Sequence, residues 1–150
     1  MPNMNIKLQS IARQQIDSSV MEELFATTVT VGEGLKGDNS DSSKAGEVTV
    51  LSKESWVKIC HETETEMPWL ASGANLLVKG FEFLPTDLGK TLLIGEVVLE
   101  ITRATDPGYH LEKDAPHVVD ALKLGWRGGV VCKVLRSGEI QSGDSVNIAE

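Results

Sequence analysis

The sequence predicts a mainly β protein, a barrel or sandwich, and three observations carry that prediction. Short runs rich in β-branched residues recur at Ala26–Val31, Val48–Leu51, Leu92–Ile101 and Val130–Leu135, and such residues suit the pleated, half-buried surface of a strand. Glycine turns separate them, at Gly32–Asp38, Gly95, Gly128-Gly129 and Ser137-Gly138. Helical periodicity is confined to two or three short stretches, too few for an α-rich or alternating fold. The 150 residues, 41% of them hydrophobic, suit one domain over residues 1–150 with one core.

Taken in order, Ile6–Gln15 mixes apolar and polar positions and reads as a strand, and Ser19–Leu24 as a short turn or helix. Ala26-Thr27-Thr28-Val29-Thr30-Val31 is a strand, which the glycines of Gly32-Glu33-Gly34-Leu35-Lys36-Gly37-Asp38 break. Asn39–Gly46, polar and rich in Ser and Asp, is expected to be a mobile loop. Val48–Leu51 reads as a buried strand, and Ser52 as the N-cap of a helix whose Trp56, Ile59 and Cys60 share an apolar face. Pro68 ends that helix or closely follows its end. Ala74–Val78 is a further strand. From Leu92 to Ile101 apolar residues alternate across a turn or bulge at Gly95. Val118–Leu124 reads as a short helix, Val130–Leu135 as a strand, and Val146–Ile148 as a closing strand.

Charge narrows the partners. The net charge of −8 is spread along the chain, so nucleic acid phosphates and anionic membranes are repelled. No apolar run approaches the ~20 residues of a membrane span, and Met1–Lys7 lacks the pattern of a secretory signal. A cytoplasmic location is expected, which keeps the two cysteines, Cys60 and Cys132, reduced. There is no CxxC and no Cys/His cluster, so no metal site of the zinc kind is expected.

Six segments go further when read together: Gly34-Leu35-Lys36-Gly37-Asp38, Glu47-Val48-Thr49-Val50-Leu51, Asn75-Leu76-Leu77-Val78-Lys79-Gly80, Ile94–Thr102, Arg127-Gly128-Gly129-Val130 and Gly138-Glu139-Ile140-Gln141-Ser142-Gly143-Asp144. In this order they resemble the MOSC domain, named for the C-terminal part of molybdenum cofactor sulfurases, across roughly Gly34–Ile148. Each piece alone is weak; the ordered set is fairly specific. The resemblance implies a closed β-barrel of MOSC type with two or three flanking helices. It also implies an association with molybdenum cofactor and sulfur transfer, and a cysteine desulfurase or a molybdoenzyme as partner. Pyridoxal phosphate enters by family association only: it belongs to a separate desulfurase domain in some members, for which this chain has no room.

In that family a cysteine after a proline serves as sulfur carrier or metal ligand, tasks that suit a thiolate. The matching stretch here is Thr105-Asp106-Pro107-Gly108-Tyr109-His110, with glycine at the cysteine's place. An anionic pterin needs cationic or amide donors, and the candidates are Lys36, Asn75, Arg103 and Arg127 beside Gly108 and Tyr109. The catalytic residue is left open among Cys132, Cys60 and His110.

Each candidate has a plainer reading. Cys132, at period two between Val130 and Val134, reads better as a small buried hydrophobe than as a relocated carrier. Cys60 neighbours His61, yet adjacent helical residues point ~100° apart, which favours a core role. For Arg127 a salt bridge and a ligand contact weigh equally, as do strand-end bonding and ligand donation for Asn75. Asp38 braces its glycine turn in preference to any catalytic role, and a lone loop histidine such as His110 is more often merely exposed. Two functions remain: a protein handling molybdenum cofactor or sulfur, and a non-catalytic module on the same barrel that binds a small anion or a partner protein.

Overall fold

The computed structural model describes residues 5–16, 20–40, 43, 45–105 and 116–150. Seven strands close into a barrel: β1 (Ile6–Gln14), β5 (Glu47–Ser52), β6 (Leu76–Lys79), β7 (Thr91–Ile94), β8 (Val97–Ala104), β9 (Val130–Arg136) and β11 (Ser145–Ala149). They run in the order β1-β11-β7-β8-β9-β5-β6, with β6 returning to β1. All neighbours are antiparallel except β5 and β6, which are parallel and joined by a helical crossover. Closure leaves no free edge on the seven. A short strand β2 (Met21–Leu24) extends β1, in register from Gln14↔Met21 to Ile11↔Leu24.

Alternation explains what lies inside. Val97, Leu99 and Ile101 of β8, Val130, Cys132 and Val134 of β9, and Val48 and Val50 of β5 all point into the barrel core. Strand β1 keeps its apolar face inward only because a bulge between Leu8 and Ser10 shifts the phase, so Ile6 and Leu8 are followed by Ile11. A second sheet of β10 (Gly138–Gln141), β3 (Ala26–Thr30) and β4 (Gly34–Leu35) adds Val29, Leu35 and Ile140 to that core.

The strands β5 and β6 are buried on both faces. Leu51 and Leu77 point outward, beneath helices α1 (Lys53–Glu62) and α2 (Pro116–Leu122). There they meet Trp56, Ile59, Val118, Val119 and Leu122 in a second apolar cluster. Ser52 caps α1, its hydroxyl accepting from the Ser55 amide at 3.3 Å. Pro68 follows the helix end by six positions and opens a 3₁₀ turn, Trp69–Ser72.

A mainly β closed barrel with flanking helices, as the resemblance implies, is therefore the observed architecture. Two local readings change. The stretch expected as a turn or helix before Ala26 holds strand β2, because cross-strand pairing and an Arg13–Glu22 ion pair at 2.7 Å outweigh its weak local pattern. Gly138–Gln141, read as turn and motif, is strand β10, paired with β3 from Gly138↔Val29 to Gln141↔Ala26. Within Asn39–Gly46, Asn39 is tied to the Gln14 carbonyl and the Ser43 hydroxyl donates to Glu33 O, while Asp41, Ser42 and Lys44 lie outside the described residues.

Candidate functional site

Two polar clusters contain three of the residues singled out above, Asp38, Asn75 and Arg127. The first is a buried seam where β1, β5 and β6 meet. Asn75 is 1% exposed, and both ends of its amide are used: Nδ2 donates to Ala12 O at 3.1 Å and Asp38 Oδ2 at 3.2 Å, while Oδ1 accepts from the Thr49 amide at 3.1 Å and its hydroxyl at 3.3 Å. Asp38, also buried, accepts from the Gln14 amide at 2.8 Å and the Ser40 hydroxyl at 2.6 Å. The glycine turn Gly34–Asp38 is thereby pinned against two strands of the barrel. Burial makes such saturation obligatory, since each orphaned group would cost its full desolvation.

The second cluster lies outside the barrel, at the foot of the helices. Arg127 donates to Ala121 O, near the C-terminus of α2, through Nε at 3.3 Å and Nη2 at 2.9 Å. Its Nη1 meets Glu62 Oε2 of α1 at 2.7 Å. That hydrogen bond, more than the charge itself, holds the Glu62 carboxyl below the usual carboxylate range. The corner beneath Arg127 is closely packed: Thr105 donates its hydroxyl to Gly128 O at 2.6 Å, and Gly129, at φ +97°, lies so near β5 that a Cβ there would sit 2.4 Å from Val50 O. Beside it opens a cleft of about 450 Å³, lined by Arg127, Glu62, Ser55 and Glu82 and by the apolar Phe83, Leu84 and Leu124.

The remaining candidates are dispersed. Arg103, on the outer wall of the barrel, clasps Glu47 through Nη1 at 2.9 Å and Nη2 at 3.2 Å. Lys36 is exposed on the glycine turn, its carbonyl accepting from Arg13 Nη1 at 3.3 Å. Cys132 is fully buried in the barrel core, and burial, with the Glu47 charge, pushes its thiol pKa far up. Cys60 is half-buried against the helical cluster, with its sulfur 4.0 Å from Met67 O. Gly108, Tyr109 and His110 lie outside the described residues. Among the described residues no group of three or more His, Cys, Asp or Glu is placed to hold a metal ion, and no helix is long and apolar enough to cross a membrane.

Sequence reasoning did not single out Glu62, Glu82 or Thr49. Their partners stand 65, 27 and 26 positions away, and nothing local marks them.

A model of the MOSC domain family matches residues 38–147. The chain belongs to the MOSC domain family. Its barrel is similar to the crystal structure of the YuaD protein from Bacillus subtilis, with a TM-score of 0.78 at 19% identity over 97% of this chain and 96% of that one. It is also similar to YiiM from Geobacillus stearothermophilus (TM-score 0.74, 16% identity, 97% of this chain and 75% of that one) and YiiM from Escherichia coli (0.66, 14%, 95% and 70%). At such identities the likeness concerns the fold. No curated protein matches the sequence. In this MOSC barrel three residues of the family segments fall in the two clusters, Asp38 and Asn75 in the seam and Arg127 at the cleft.

Proposed function

We propose that this MOSC-family chain is a binding module that takes a small anionic ligand on Arg127 and carries no sulfur on a thiol of its own. The observation that carries this reading is the placement of the two cysteines. Sulfur transfer needs an accessible thiolate. Cys132 is sealed in the barrel with its thiol held protonated, and Cys60 is half-buried against the helical cluster, its sulfur 4.0 Å from Met67 O. Position 108, where the family's cysteine is expected, is glycine.

The family's association with molybdenum cofactor meets the same obstacle. A thiolate ligand for the metal has no source among these residues, and the pterin's phosphate would find Arg103 already clasped in both arms by Glu47. The described residues do not fit that cofactor. Arg127 is different, since it lines a cleft and its carboxylate partner Glu62 holds one arm only and is half exposed.

Intact mass after incubation with a cysteine desulfurase and free cysteine tests the thiol half of the reading. The mass is expected to stay unchanged, and a reducible gain of one sulfur, abolished by Cys60→Ser or Cys132→Ser, would refute it. Calorimetric titration with inorganic phosphate and with 4-phenylbutyrate at low ionic strength tests the other half. Heat from at least one is expected, and none from either sinks it.

A further inference from the structure

We infer that the Arg127 cleft takes an amphipathic monocarboxylate, and that the Glu62 carboxylate stands in its place while the cleft is empty of ligand. The inference rests on the anion-binding reading above and names the ligand class. Two backbone-directed bonds from Nε and Nη2 to Ala121 O fix the guanidinium plane and aim Nη1 outward. Nη1 is the arm that Glu62 occupies, at 2.7 Å. The partners differ in freedom: the Arg127 side chain is 22% exposed and that of Glu62 51%. A carboxylate on an exposed helical side chain can swing into solvent while the arginine stays put, and an ion pair this exposed holds weakly.

The rest of the cleft sets what else the ligand carries. Phe83 forms part of a wall whose other members, Leu84 and Leu124, are left 55% and 63% exposed. Such apolar area beside one oriented guanidinium suits a ligand with an acyl or aryl body and an acidic end. Glu82 opposes a higher charge. Lys58 at 2.8 Å and the Ser55 hydroxyl at 3.4 Å offset it, but a dianion or polyphosphate would still face a second carboxylate across the cleft. One negative charge is favoured, and the cleft's about 450 Å³ lies in the ordinary range for small molecules.

The test is calorimetric titration of the full chain with 4-phenylbutyrate, acetate, 4-phenylbutyramide and inorganic phosphate, in wild type, Glu62→Ala and Leu124→Ser. Both replaced side chains are exposed, so folding is retained, and thermal unfolding verifies it. Phenylbutyrate is expected to bind about tenfold tighter than acetate or the amide, since acetate lacks the apolar body and the amide lacks the charge. Removing Glu62 is expected to tighten phenylbutyrate by about two- to fivefold, and Leu124→Ser to weaken phenylbutyrate alone. Equal affinity in wild type and Glu62→Ala, or equal binding of the amide, overturns the inference. Phosphate binding without a preference for phenylbutyrate overturns the ligand class and leaves the anion-binding reading standing. Binding of no anion by any variant ends both.

Discussion

The seam at Asn75 and the cleft at Arg127 use the same chemistry, nitrogen donors against a carboxylate, under opposite conditions of access. In the seam, Asp38 and Asn75 are 7% and 1% exposed and every polar end finds a protein partner. In the cleft, Arg127 is anchored on one side by a backbone carbonyl and on the other by a half-exposed glutamate. A ligand could enter the seam only by breaking several buried bonds at once, each costly to leave unmade. At the cleft it need displace one exposed carboxylate. Membership of a shared motif therefore does not by itself make a residue a ligand contact; saturation and access separate those that hold the barrel from those free to bind.

The largest effect is expected where the two regions join. Gly129 follows the corner that carries Arg127 and leans on β5 of the seam, and its added Cβ would meet Val50 O at 2.4 Å with φ at +97°. Gly129→Ala is expected to cost about 3–5 kcal/mol, from backbone strain and forced separation of β5 and β9 together. Chemical denaturation measures it, and a loss below about 1 kcal/mol would mean the corner is pliant. Asn75→Ala comes next. It removes the side-chain acceptor of the Thr49 amide and one donor each from Ala12 O and from Asp38 Oδ2, which keeps the Ser40 hydroxyl, and should cost about 2–3 kcal/mol. Anion binding by the folded fraction is expected to be unchanged. If instead binding is lost with stability intact, the division between the two regions is wrong.

The barrel was legible because its cause is local and repeated. Alternation in Val97–Ile101 and in Val130–Val134 announces one inward face, and the glycine turns fix where strands stop. The reading failed at Met21–Leu24, whose strand exists because β1 offers it a register, a fact no window of that segment contains. For the site the divide is sharper. The sequence raised both a salt bridge and a ligand contact for Arg127, and the salt bridge is there, yet Glu62 carries no mark that would single it out from the other acidic residues. Clefts are made by elements distant in sequence. Phe83, Leu124 and Ser55 share one only because α1 and α2 pack over the outer faces of β5 and β6.

A smaller effect is expected on the barrel's outer wall. Arg103 clasps Glu47 with good geometry, but its side chain is 58% exposed, so Arg103→Ala should cost under about 1 kcal/mol, less still in high salt. A cost of the seam's size would show that exposed pairs in this barrel are worth more than their access suggests, and would count against an easily displaced Glu62.

The smallest effect sharpens the comparison most. Arg127 holds the folded Glu62 carboxyl below its ordinary value of 4.5. A depressed carboxylate pKa means the folded state favours the charged form, so the pair's contribution is present above about that ordinary value and fades as pH falls through the lower folded one. The melting temperature of wild type is therefore expected to exceed that of Glu62→Ala slightly at neutral pH. The gap should close in acid, and also in high salt, where an exposed pair is screened. Many carboxylates titrate over the same range, but subtracting the variant removes what they share. A gap that survives both acid and salt would mean Glu62 supports α1 through packing and not through its charge. Arg127 would then have no exchangeable partner, and the feature that sets the cleft apart from the seam would be gone.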